Sequence, residues 1–260
     1  MKIDRLTNDD WARVHPRRLQ RSGRVVTRRI GRWLFRYQGY GRERIPATGG
    51  FIIAPNHGSY VDPFFFLHGT NRTVRFMAKY QALEWPIVGR FIKWGGGFPT
   101  NRPGGAGRPV LDIARCVLEA GNGLIMFMEG KLVREPGLGT PRSGLAVLAL
   151  NTGVPVVPVA AWGNKPAGIY GRKRRFWQRP KVTVVWGEPM SFPREDNPSA
   201  ERVAEVRDQI WAQVTRLHAF AHELHERPGG RPATWQLPSG MAPSAVAPEP
   251  QSVPTTEAGP

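Results

Sequence analysis

Short runs of apolar and β-branched residues, set between longer amphipathic stretches, constrain this chain more than any other feature. Runs at 51–55, 73–77, 124–128, 154–161 and 181–186 are too short for ordinary helices and are bounded by Gly, Pro and Asn, so each is read as a strand. Between them, 80–93 (interrupted near Pro86), 109–120 and 144–151 read as helices, and 95–99 as a glycine-rich strand or turn. A last long helix over 199–226 carries Val203, Val206, Ile210, Val214 and Leu217 on one face. Strands alternating with helices predict an α/β fold: a mixed, partly parallel central sheet flanked by helices. A chain of 260 residues is long enough for one such domain with something appended.

The flanks differ in character. Residues 11–40 interleave arginines with Trp11, Val25, Ile30, Trp33 and Phe35, and from 19 to 37 the apolar positions recur near helical spacing. Residues 1–44 are therefore read as a basic amphipathic helical segment suited to a membrane surface, with Arg29, Trp33 and Arg36 as contacts. The alternative is a helix packed on its own domain with a solvated arginine face. The α/β body would span 45–226. Beyond it, 227–260 is rich in Pro, Ala, Ser and Gly, and is too poor in apolar residues to offset the entropy of ordering, which predicts a disordered tail.

Charge narrows the partners. Lys and Arg total 37 against 20 acidic residues, a formal net charge of +17, which points to a polyanionic partner: nucleic acid, an anionic membrane or phosphorylated substrates. A second basic, aromatic patch at 168–181 includes Arg174 and Trp177 and suits an anionic lipid interface, although the same composition suits single-stranded nucleic acid. No nucleic-acid recognition module is visible, so no nucleic-acid partner is expected. The single cysteine, Cys116, excludes an intramolecular disulfide and a zinc cluster, and no metal site is expected. The N-terminus carries no signal-peptide pattern and no apolar run approaches the length of a membrane span, so any membrane association is expected to be peripheral.

Chemistry concentrates in Asn56-His57-Gly58-Ser59-Tyr60-Val61-Asp62-Pro63. His57 falls where a core strand gives way to a loop, the edge at which α/β sheets handle ligands. In a regular helix a five-residue separation would spread His and Asp around the axis. Here His57 precedes a helix over 60–67, capped by Ser59, and the turn can return Asp62 to one imidazole nitrogen. A carboxylate there fixes the tautomer and stabilises the imidazolium, leaving the other nitrogen for a substrate hydroxyl. A bare His-x4-Asp spacing is common by chance, and the pair could equally be structural. No Gly-x-Ser-x-Gly elbow accompanies it, which disfavours a serine hydrolase.

The segment resembles the His-x4-Asp motif of the glycerolipid acyltransferases, the PlsC-type 1-acyl-glycerol-3-phosphate acyltransferases. Three further stretches resemble that family's motifs in order: Gly97-Phe98-Pro99-Thr100-Asn101-Arg102, Phe127-Met128-Glu129-Gly130 and Val154-Pro155-Val156-Val157-Pro158-Val159. Ala78-Lys79, Arg142-Ser143-Gly144 and Gly187-Glu188-Pro189 add smaller likenesses, and the resemblance covers about 45–220. It implies direct transfer of a fatty acyl group from acyl-CoA or acyl carrier protein to a lysophospholipid hydroxyl, with no cofactor and no covalent acyl-enzyme. His57 is implied as the general base and Asp62 as its orienting partner. Arg102 is implied to hold the acceptor phosphate, with Lys79 a weaker candidate, and Glu129 and Gly130 to contact the acceptor. The family's Thr-Arg after Glu-Gly is replaced by Lys131-Leu132, so Lys131 or Arg134 is left to supply that positive charge. The acceptor implied is 1-acyl-glycerol-3-phosphate, with another phosphate-bearing lipid or glycerol-3-phosphate as alternatives, at the cytoplasmic face of the cell membrane.

Overall fold

The structure, a computed structural model, describes residues 33–86, 88–100, 108–133, 137–165 and 179–227. Among the described residues, seven strands form one sheet. In chain order they are β1 (Arg36–Tyr40), β2 (Phe51–Pro55), β3 (Val74–Lys79), β4 (Gly97–Thr100), β5 (Gly123–Ile125), β6 (Val156–Trp162) and β7 (Lys181–Trp186). Six helices accompany them: α1 (Asp62–Gly69), α2 (Tyr80–Glu84), α3 (Val88–Trp94), α4 (Arg108–Glu119), α5 (Gly144–Thr152) and α6 (Ala200–Glu226). The spatial order is β1-β7-β6-β2-β5-β3-β4. Strands β6, β2, β5, β3 and β4 run parallel, whereas β7 is antiparallel to β6 and carries β1 parallel to itself at the edge. The expected mixed, partly parallel α/β sheet is what forms.

Alternation along each strand splits the core between two faces. Ile52, Ala54, Leu124 and Val156 face one way and pack with Ile113, Val117, Leu145, Val206 and Ile210 from α4, α5 and α6. Phe51, Ile53, Val157, Val159, Val184 and Trp186 face the other way and pack with Phe65 and Phe66 of α1. Because β2 is central and covered on both sides, all five of its residues are buried, and the strand reads as an unbroken apolar run. Five parallel strands also place their C-terminal ends along one edge of the sheet. Asn56-His57, Lys79, Thr100, the turn after β5 and the residues after Trp162 therefore all emerge on that side.

Three local expectations are corrected. The helix expected through Tyr37 ends at Leu34, and Arg36–Tyr40 is instead the edge strand β1, with Arg36 opposite Lys181 and Tyr40 opposite Val185. The aromatic residues of this stretch favour a strand, and pairing with β7 overrides the helical periodicity. The strand expected over 124–128 stops at Ile125, because Gly130 donates its N–H to the carbonyl of Phe127 and closes a turn. Helix α1 starts at Asp62 rather than at residue 60, and Ser59 does not cap it: no side chain caps this helix, and the carboxylate of Asp62 instead accepts the N–H groups of Gly58 and Ser59 in the turn before it. Most of the 1–44 segment and all but Arg227 of the 227–260 tail lie outside the described residues.

Helix α6 spans 27 residues, is capped by the Ser59-independent Ser199 hydroxyl accepting from the Arg202 N–H at 3.2 Å, and closes one face of the sheet. Near its C-terminal end His218 and His222 rest their rings on Trp162, with centroids 4.8 and 3.9 Å away. Burial, reinforced by the charges of Lys165 and His222, lowers the pKa of His218 from 6.5 to about 4. The folded chain thus resists a proton that the unfolded chain accepts, so this stabilisation is present above about 6.5 and is lost as pH falls through about 4. Urea unfolding followed across that window should show stability falling toward acid in the parent protein and falling less steeply in His218→Gln.

Candidate active site

The site is assembled at the C-terminal end of β2. Asn56, buried just beyond the strand, donates from Nδ2 to the carbonyl of Ala161 at 3.1 Å and accepts the Ala161 N–H on Oδ1 at 2.8 Å. Its side chain thereby extends the β2–β6 pairing past Pro55, which has no N–H to offer. His57 follows on this fixed base. Its backbone is held from the other side by the turn after β5: the His57 N–H donates to Glu129 Oε2, and its carbonyl accepts the Val133 N–H at 2.9 Å. Its ring stacks on Phe127 at a centroid distance of 3.8 Å and an interplanar angle of 22°.

Nδ1 of His57 lies 3.1 Å from Asp62 Oδ2. Asp62 is fully buried, and its charge is met by hydrogen bonds: Oδ2 also accepts the N–H groups of Gly58 at 2.7 Å and Ser59 at 2.8 Å, while Oδ1 accepts Asn164 Nδ2 at 2.9 Å. The turn from 58 to 61 doubles back at the start of α1, which is how five residues of separation become direct contact. With Nδ1 engaged by the carboxylate, Nε2 carries the lone pair in the favoured tautomer. Among the described residues nothing hydrogen-bonds to Nε2, and the His57 side chain keeps 17% of its surface exposed. A hydroxyl presented at Nε2 would meet a base whose conjugate acid is stabilised by a neighbouring anion.

Glu129 is the second buried carboxylate. Desolvation raises its pKa, opposed by the N–H bonds from Gly139 and His57. Its two oxygens tie separate segments: Oε1 accepts Gly139 N–H at 2.9 Å, and Oε2 accepts that of His57. Gly130 has φ +63°, and a Cβ there would lie 2.6 Å from Arg142 Cδ, so glycine is needed both for the turn and for the arginine stem folded across it.

The fold is shared with known proteins. The acyltransferase family model matches residues 36–162. That match makes residues 36–162 an acyltransferase domain. Among its relatives, the 1-acyl-sn-glycerol-3-phosphate acyltransferase of Bacillus subtilis is 25% identical over 188 residues, which cover 71% of this chain and 89% of that one. The chloroplastic 1-acyl-sn-glycerol-3-phosphate acyltransferase of Arabidopsis thaliana is 26% identical over 65% of this chain and 48% of its own length. The chain therefore spans most of the bacterial relative and about half of the plant one. The crystal structure of the 1-acyl-sn-glycerophosphate acyltransferase PlsC from Thermotoga maritima superposes with a TM-score of 0.61 at 26% identity, covering 80% of each chain.

Within this acyltransferase, His57, Asp62 and Glu129 are brought together as one hydrogen-bonded unit. Gly130 and Lys131 occupy the adjoining turn, both exposed. Lys79 is exposed at the end of β3, with its Cα opposite Thr100 of β4. Arg36 is exposed on the edge strand β1, and Trp33 is 61% exposed just before it. Arg102, Arg29, Arg174 and Trp177 lie outside the described residues. Sequence reasoning missed Asn164 and the sheet-extending role of Asn56. The signal for both was position: a polar side chain directly after a buried parallel strand, at the edge where such sheets place their sites. No cluster of three or more metal-binding side chains occurs among the described residues.

The double use of Glu129 makes a direct test. A glutamine has one acceptor oxygen and cannot accept from both Gly139 and His57, so Glu129→Gln should cost about 1–3 kcal/mol of stability and lower turnover with it. Denaturant unfolding at neutral pH together with a turnover measurement checks this.

Proposed function

We propose that this acyltransferase moves a fatty acyl group from a thioester, acyl-CoA or acyl carrier protein, to the free hydroxyl of 1-acyl-glycerol-3-phosphate, giving phosphatidate for phospholipid synthesis. The observation that carries the mechanism is the His57 Nδ1 to Asp62 Oδ2 contact of 3.1 Å on a half-buried ring. His57 Nε2 takes the hydroxyl proton as the oxygen attacks the thioester carbonyl. The carbon–sulfur bond then breaks, and the proton returns from the imidazolium to the departing thiolate. Asp62 keeps the ring oriented and offsets its transient charge. No protein nucleophile is needed. Support for the acceptor comes from the activity for which the bacterial and plant relatives are named. Arg102, Lys79 and Lys131 are the cations proposed for its phosphate, with Glu129 and Gly130 shaping the wall beside it.

Turnover assayed as thiol release over a panel of lysolipids, glycerol-3-phosphate, acyl-CoA and acyl carrier protein, with mass spectrometry of products, identifies both substrates. Best turnover with another phosphate-bearing acceptor would replace the one named. His57→Ala should lower kcat about a hundredfold or more while leaving the melting temperature near the parent value. Near-normal transfer by the folded variant would rule out the base.

The protein is further proposed to work at an anionic membrane surface, as a peripheral protein of the cytoplasmic face. Its charge of +17 supports this, and no helix among the described residues is long and apolar enough to cross a membrane. Removing 1–32, which stops short of β1, should weaken co-sedimentation with vesicles rich in anionic lipid and spare turnover of a short-chain, water-soluble acceptor. Unchanged co-sedimentation would remove this segment from the membrane reading.

A further inference from the structure

We infer that Asn164 is a positioning residue for acyl transfer: its side-chain amide holds Oδ1 of Asp62 and so commits Oδ2 to His57. The inference rests on the reading of His57 and Asp62 as the catalytic pair. Three donors converge on Oδ2, namely the N–H groups of Gly58 and Ser59 and the imidazole of His57. On Oδ1 the only donor among the described residues is Asn164 Nδ2, at 2.9 Å, from a residue 102 positions away and itself 2% exposed. A carboxylate can turn about its Cβ–Cγ bond, and this bond from the opposite side locks it. Besides His57, the charged groups that face this turn are Glu129, which feels the charges of both His57 and Asp62, and Lys165, whose stem lies against Gly58. Lys165 sends its Nζ to the carbonyl of Gly137 at 3.0 Å, and among the described residues only His57 is close enough to form an ion pair with Asp62. Amide donors, not a cation, thus compensate the buried charge.

The backbone is shaped to deliver this contact. At the end of β6, Gly163 takes φ +76°, and a Cβ there would lie 2.4 Å from the carbonyl of Lys181, so the chain swings sharply inward and seats Asn164 beneath α1. Opposite it, a Cβ on Gly58 would come within 3.0 Å of both Asn164 Nδ2 and Lys165 Cγ. Glycine at 58 therefore leaves room for the Asn164 amide, and glycine at 163 allows the positive φ and the close approach to Lys181.

Kinetics and pH profiles of Asn164→Ala, Asn164→Asp and His57→Ala, using the acceptor and thioester of highest turnover, test the assignment. Asn164→Ala should lower kcat roughly ten- to a hundredfold with KM changed less than about twofold. Asn164→Asp has nearly the parent volume. With one proton shared, its carboxyl donates to Asp62 as the amide did; fully ionised, it repels Asp62. Its activity should accordingly be greatest on the acid side and fall as pH rises, over a range in which the parent does not fall. A kcat for Asn164→Ala within about twofold of the parent, or an Asn164→Asp profile superimposing on the parent profile, overturns the inference. If circular dichroism shows Asn164→Ala unfolded, the Asn164→Asp profile alone decides. Activity retained by His57→Ala would defeat the underlying catalytic reading, whereas an inactive His57→Ala beside parent-like Asn164 variants defeats this inference alone.

Discussion

A fully buried carboxylate governs the geometry of this site. Asp62 is sealed from bulk solvent, and an ionised acid buried in this way is tolerated only when donors replace the lost hydration. Four donors do so, and each fixes a different part of the structure: Gly58 and Ser59 shape the turn, His57 receives its orientation, and Asn164 anchors the exit from β6. The same acid sits at the first residue of α1, where the helix dipole favours negative charge. Turn, helix start and base orientation therefore follow from satisfying one charge.

The parallel sheet makes that satisfaction possible. Residues 56–62, 127–133 and 161–164 are far apart in the chain, but they emerge side by side because β2, β5 and β6 are neighbours running in one direction. Side chains then finish what the strands begin. Asn56 substitutes for ladder bonds beyond Pro55, and Glu129 links the His57 backbone to Gly139. Placement of His57 is largely a matter of backbone held by polar side chains at strand ends.

Much of the fold could be read from residue patterns because the central strands are buried on both faces. Such strands appear as unbroken apolar runs, as at Phe51–Pro55 and Val156–Trp162. The reading failed where tertiary pairing decides the outcome. Arg36–Tyr40 carries an apolar rhythm compatible with a helix, and only the exposed edge of β7 makes it a strand. At the site, His57 and Asp62 were legible because a short turn joins them. Asn164 was not, because its contact with Asp62 spans 102 residues and no local spacing encodes it. Ser59 looked like a cap from its residue type, yet the helix starts only at Asp62, and the Ser59 hydroxyl accepts the Val61 N–H inside the turn instead.

The grip of the post-β5 turn on His57 has an evolutionary consequence. The turn reaches His57 through the Val133 N–H and the Glu129 carboxylate, whereas Lys131 and Leu132 between them make none of these bonds. Those two positions can change chemical character without shifting the imidazole, since the anchors on either side stay in place. A lineage could therefore vary the chemistry presented at 131 and 132 while the His57–Asp62 contact is inherited intact.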